Sequence, residues 1–281
     1  MGKSYLGPAS FGFRIERLHP GPLVHFLLPG LTSPLPSVPN PQDRVLLALY
    51  YRWALQALSA LSFCHSKSVF LCDFSFETTW VRWDLSLAIT GFPNAETYYY
   101  DEEEKEQRLQ GPPYDSRRSE GYAWSHVGGF GAGPGIQYDL FDWATWVWRL
   151  MINDHSIARP ANRRGGYEPV DLADGEEDDC TAHPKTKMRF EQRAFQRLER
   201  RRLGEVLLKA WNGKYEDANE VSKDVVAVAQ ELEGVVVDGD EVTLDGVVWS
   251  DCFTIVPSEP DNRQKELRFV IFGDEKWHEE T

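Results

Sequence analysis

The sequence has no CxxC pair: Cys64, Cys72, Cys180 and Cys252 are scattered singly. Without ligand pairs at the usual spacing, a structural zinc site is not expected. Isolated thiols fit a reducing compartment better than a disulfide framework. The first residues lack the basic, apolar and small-residue succession of a secretory signal, so an intracellular location, cytoplasmic or nuclear, is expected. Clustered positive charge is also scarce: 30 Lys and Arg stand against 44 Asp and Glu, a formal net charge of −14. That balance argues against nucleic acid and against an anionic membrane surface as partners. One apolar run, residues 45–64, is long enough for a bilayer of about 30 Å. However, Arg52, Gln56, Ser59 and Ser62 interrupt it, and the first three fall on one helical face. A polar stripe of that kind suits a core helix with one side on a cleft, and an Arg near the middle of a span is costly.

What remains is a chain of 281 residues, 42% hydrophobic and 13% aromatic with ten Trp, which suffices for a sizeable core and argues against disorder. Residues 1–43 are rich in Gly and Pro and read as short strands and turns ending in an extended Pro-rich connector. Helical spacing of apolar residues is strongest over residues 42–66 and returns over 138–151, 203–211 and 218–232. Short strands are expected near residues 69–71, 79–83 and 85–90. Four more, near 235–237, 241–244, 253–256 and 267–272, have Asp238-Gly239 as a turn signal. Residues 94–137 show no clear period and read as a long loop holding Tyr98–Tyr100, an acidic run at 101–104 and a Gly-rich stretch at 128–135. Residues 187–202 read as a basic helix. Its arginines, Arg200, Arg201 and Arg202 included, are expected on a solvated face near a second acidic run at 176–179. Trp143, Trp146 and Trp148 read as core material.

Two stretches carry a more specific pattern. Leu61-Ser62-Phe63-Cys64-His65-Ser66 is followed by Leu71-Cys72-Asp73-Phe74-Ser75-Phe76-Glu77-Thr78, and Gly91-Phe92-Pro93 follows a short strand. Together they resemble the C-terminal lobe of protein kinases, over roughly residues 43–233. In that family the catalytic loop reads His-Arg-Asp-Leu-x-x-x-Asn and the magnesium-binding strand ends in Asp-Phe-Gly. The resemblance makes Asp73 the candidate base that accepts the substrate hydroxyl proton; read from its residue type, Asp73 is a cap for the loop backbone. Thr78 stands where Asn would hold the second magnesium, and Gly91 stands where Asp would hold the first. Phe92 keeps a packing residue, and Asp84 is an alternative oxygen donor a few residues away, at the far end of a strand. His65 reads as a packed helix-end residue. Asp139, in Tyr138-Asp139-Leu140-Phe141-Asp142-Trp143, is expected to bind the catalytic-loop backbone as a structural anchor.

Other reagents of that family are missing. No lysine lies between Lys3 and Lys67, and the Gly-rich likeness Leu6-Gly7-Pro8-Ala9-Ser10-Phe11-Gly12 has Ala9 as its middle residue and a proline without an N–H. The activation-segment ion pair is lost on both sides, with Ser125 for Glu and Lys214-Tyr215-Glu216-Asp217 for the expected Arg. The resemblance therefore implies an α+β, protein-kinase-like fold. Residues 1–43 form a vestigial N-lobe segment, 44–233 a mainly helical C-lobe, and 234–281 a small β-rich appendage. It implies a catalytically inactive pseudokinase that binds other proteins and needs no cofactor. The alternative is an unorthodox or truncated Ser/Thr-type kinase using Asp73, with ATP and Mg²⁺.

Overall fold

The structure, a computed structural model, describes residues 18–71, 74–90, 92, 95–101, 106–110, 135–152, 198–257 and 264–270. Its longest element is helix α1, Pro41–Ser66. Asn40 starts it by accepting the Asp43 N–H at 2.8 Å, and Pro41 occupies a first-turn position where a missing N–H does no harm. Apolar residues surround α1 on nearly every side, and Leu47, Leu49, Trp53, Leu58 and Leu61 are wholly buried. The indole N–H groups of Trp53 and Trp143 donate to Leu85 O at 2.6 Å and Ala54 O at 3.1 Å. Helix α2, Ile136–Ile152, packs with it; of two later helices, α3, Gly204–Trp211, packs on α2, and α4, Ala218–Ala229, packs on both α1 and α3. Among the described residues no helix is long and apolar enough to cross a membrane.

Short strands fill the rest: β1 Pro20–Pro22, β2 Phe26–Leu27, β3 Val69–Phe70, β4 Thr79–Arg82 and β5 Leu87–Ile89 come before the helix α2. The region read as an aperiodic loop contains an antiparallel pair, β6 Glu96–Asp101 and β7 Glu106–Gln110, in register from Thr97↔Gln110 to Asp101↔Glu106. Alternation of apolar and polar residues is absent there, yet tyrosines favour strands and the ladder forms. The acidic run at 101–104 begins at the last paired residue of β6. After α4 come β8 Val235–Asp238, β9 Glu241–Leu244, a short helix α5 Trp249–Cys252, β10 Phe253–Pro257 and β11 Lys265–Phe269. The strands form sheets of order β1-β4-β5, β3-β6-β7, β10-β11-β2 and β8-β9.

The described tail packs on the helices. Val242 and Leu244 of β9 are buried, β9 lies against α1, and β11 pairs in parallel with β2. Lys265 crosses from β11 to donate to Pro20 O, with its ammonium over the Phe26 ring. Described parts of residues 1–43, 44–233 and 234–281 thus share one apolar cluster.

The basic helix expected over residues 187–202 falls largely outside the described residues. Its end is a 3₁₀ turn, Arg200–Arg202, and Arg202 is fully buried instead of solvated. The turn is forced inward by Leu203, at φ 61°, and by Gly204, where a Cβ would overlap the Leu198 carbonyl.

Candidate functional site

The region singled out by the sequence lies where α1 ends and β3 begins. Asp139, one turn into α2, is completely buried and faces this junction. Its Oδ2 accepts the Leu71 N–H at 2.9 Å and lies 2.9 Å from His65 Nε2. His65 Nδ1 is buried without a partner, so Nε2 carries the proton and donates to the carboxylate. The His65 ring stacks on Phe70 with centroids 5.6 Å apart, and Phe70 meets Tyr98 of β6 edge-on at 5.6 Å. One carboxylate thereby ties the end of α1, the start of the loop and the first turn of α2 together.

Cys72, Asp73, Gly91 and Pro93 lie outside the described residues. The flanks of the loop are firm: Leu71 and Phe74 are buried, and Phe74 and Phe76 both meet Trp146 of α2, at 5.4 and 5.8 Å. Thr78 is buried, and its hydroxyl accepts the Ser75 N–H at 2.9 Å and donates to Ser75 O at 3.1 Å. The β4–β5 register, Thr79↔Ile89, continues through Thr90 N–H donating to Thr78 O at 2.7 Å. The hairpin therefore brings position 78 beside Thr90, next to position 91.

Asp84 sits, as expected, at the far end of that hairpin, where its Oδ1 takes the Ser86 N–H at 2.9 Å and hydroxyl at 2.7 Å. At about 3.3 Å per strand residue, it is far from Thr78 and cannot join a metal site there. Phe92 is 49% exposed and is not a packed residue. Among the described residues no group of three or more His, Cys, Asp or Glu is placed to hold a metal ion. As a seat for Mg²⁺ the set fits poorly. Position 91 is a glycine without a side-chain oxygen, and Thr78 offers a neutral hydroxyl already bonded to Ser75, where a hard cation takes carboxylates.

One carboxylate near this site went unnoticed in the sequence. Glu96 stands opposite Phe70 in the β3–β6 pair, and its Oε2 is buried with no hydrogen-bond partner. Burial pushes its carboxyl above the ordinary range. A carboxyl whose folded pKa is raised is held against ionisation, so it lowers stability as pH rises through the unfolded value toward the folded one. Glu96→Gln is expected to raise Tm at neutral pH, with the gain shrinking to nothing below the carboxylate range. Thermal melts of both proteins across pH check this, and a gain independent of pH would contradict it. The signal was absent from the sequence because β6 itself was not legible.

No protein-family model matches the chain, and comparison with curated proteins finds no match.

Proposed function

We infer that this chain is a catalytically inactive, protein-kinase-like protein that acts as an interaction module. The observation that carries the reading is the pairing of a retained anchor with an altered reaction centre. Asp139 holds the loop backbone at Leu71 and the His65 ring, whereas the Thr78 hydroxyl turns back on Ser75 and position 91 has no side-chain oxygen. The order of elements supports it too: helix, short strand, loop, hairpin, a second antiparallel pair of strands, then a helix whose Asp returns to the loop. Phosphoryl transfer depends on metal-assisted charge neutralisation and positioning. A site without carboxylates at the metal positions is poorly equipped for either.

The partners of such a module are other proteins, in an intracellular setting, and no cofactor is required. The test is a thermal shift with ATP, alone and with Mg²⁺ or Mn²⁺, together with an ATP-turnover assay. Saturation at 100 times Kd would add about 2.7 kcal/mol to the folded state. No nucleotide-specific shift and no turnover are expected. Magnesium-dependent turnover abolished by Asp73→Asn would overturn the reading in favour of an unorthodox or truncated Ser/Thr-type kinase with Asp73 as base.

A further inference from the structure

Strand β10, Phe253–Pro257, ends its sheet and is paired on one side only, with β11. In an antiparallel ladder, residues that exchange hydrogen bonds with the neighbouring strand alternate with residues whose N–H and C=O point away from it. The Val270 N–H donates to Cys252 O at 2.9 Å, which sets that alternation. Thr254 and Val256 therefore bond to Arg268 and Glu266 of β11, and Phe253, Ile255 and Pro257 turn their backbone groups outward. The edge offers two donors, the N–H groups of Phe253 and Ile255, and three acceptors, the carbonyls of Phe253, Ile255 and Pro257. Proline supplies no N–H. Among the described residues none of these groups has a hydrogen-bond partner.

The strand is also neutral. The chain carries a formal net charge of −14, yet Phe253-Thr254-Ile255-Val256-Pro257 has no charged side chain. Across the ladder, Glu266 and Arg268 are matched with each other at 2.7 Å. Phe253 is buried, its ring centroid 4.7 Å from that of Phe269, and fixes β10 to the core. Ile255 and Val256 are half-buried, while Thr254 and Pro257 are exposed. Two exposed valines stand at the head of the edge. Val248 O accepts the Cys252 N–H at 3.2 Å, and Val270 lies opposite Cys252. Edge strands are normally blunted by charge or by a bulge. β10 has neither, and a proline only at its end.

We propose that β10 pairs with β10 of a second copy of this chain, antiparallel about a two-fold axis at Ile255, joining two three-stranded sheets into one. In this register each Ile255 N–H donates to Ile255 O of the other copy, and each Phe253 N–H donates to the other Pro257 O. Both donors of each copy are used, and the Phe253 carbonyl stays in water. On one face Thr254 comes opposite Val256 of the other copy, and on the other face Ile255 meets Ile255, pairs of the kind that stabilise sheets. An axis moved to Thr254 would set Pro257 of one copy beside Asp251 of the other, which lies in helix α5 and cannot act as a strand. The occupant is a second copy because every chain carries the complement, and because a neutral strand lets two strongly acidic chains meet where they repel elsewhere. A charged segment of another protein gains no complementarity from it. The two-fold pairing consumes the β10 edge of both copies, so assembly through this edge stops at two. The inference goes beyond the interaction-module reading and holds whether or not ATP is turned over.

The test is sedimentation equilibrium of the full chain over a concentration series, with amide exchange followed at single residues. A monomer–dimer equilibrium is expected. Exchange at Phe253 and Ile255 should slow as concentration rises, whereas Thr254 and Val256, bonded within the sheet, should be slow throughout. Ile255→Pro removes the central donor at an edge position where the N–H faces outward and proline is tolerated. Its dimer dissociation constant is expected to be at least about tenfold higher than that of the parent. Ile255→Val keeps the N–H and should dimerise like the parent. The exchange measurement needs no substitution, so it decides the matter even where Ile255→Pro fails to fold. A chain that stays monomeric at every concentration overturns the proposal. So does a dimer in which Phe253 and Ile255 exchange as fast as in the monomer, or one that a folded Ile255→Pro leaves as tight as before, since its contact then lies elsewhere.

Discussion

Asp139→Ala is expected to destabilise the fold by about 3–5 kcal/mol, the range for breaking a buried charged contact. Asp139 has no exposed surface, and its Oδ2 serves two donors, the Leu71 N–H and His65 Nε2–H. Removing it leaves both donors in a dry site, each worth about 1–3 kcal/mol when unpaired. A domain is stable by only about 5–15 kcal/mol, so Tm should fall on the order of 10 °C. Asp139→Asn separates the effects. Its amide oxygen, placed where Oδ2 stands, still accepts from both the Leu71 N–H and the His65 Nε2–H, and only the negative charge is lost. A smaller loss than for alanine is therefore expected. Urea titrations supply the free energies, and amide exchange at Leu71 localises them. Unchanged protection at Leu71 in Asp139→Ala would show that the carboxylate is not the anchor of the loop.

Periodicity made the helices legible. Apolar spacing marks α1 and α2, although the Asn40 cap and the Pro41 start of α1 lie in what read as the end of the connector. Strand β9 was legible because Glu241–Leu244 alternates and follows Asp238-Gly239. By contrast β6 carries Thr97-Tyr98-Tyr99-Tyr100, with no alternation to announce a half-buried face. Glu96, which this strand sets opposite Phe70, was hidden with it. The position of the tail was hidden for another reason. Its contact with the N-terminal segment is a parallel pairing at only two positions, Lys265↔Phe26 and Glu266↔Leu27, across more than two hundred residues of chain. No local pattern encodes a partner so distant. The stripe of Arg52, Gln56 and Ser59 was visible as a polar face, but not its covering by Glu241. In the candidate site, periodicity marks neither His65 nor Asp139; only a family resemblance drew attention to them. The residues that would decide the chemistry, Asp73 and Gly91, stand where that resemblance places them in the sequence and outside the described structure.

Arg202 shows most sharply how burial can reverse a composition-based expectation, and its removal should be as damaging as that of Asp139. Three consecutive arginines next to an acidic stretch read as a solvated patch. In the fold only Arg200 behaves that way, pairing with Glu231 and Glu205 at the surface. Arg201 donates to Pro36 O at 3.2 Å and to Ser37 O, and its own carbonyl accepts the Tyr51 hydroxyl at 2.6 Å. Arg202 donates to Thr32 O at 2.7 Å and to Met151 O, with Nε 3.1 Å from Glu199 Oε2. Met151 lies in the last turn of α2, where carbonyls lack helical donors, so the guanidinium completes that helix end while it holds the connector. Arg202→Ala is expected to cost about 3–5 kcal/mol, because it leaves carbonyls and the Glu199 carboxylate unmatched around a cavity. Arg202→Met fills the cavity and should recover part of that loss. Adding Glu199→Gln should recover more, since the stranded charge is then gone as well. The damage should be local first. Amide exchange and proteolysis of residues 28–37 are expected to rise in Arg202→Ala before the helices loosen. A loss below about 1 kcal/mol, typical of an exposed ion pair, with the connector as protected as before, would mean that Arg202 is a surface residue after all.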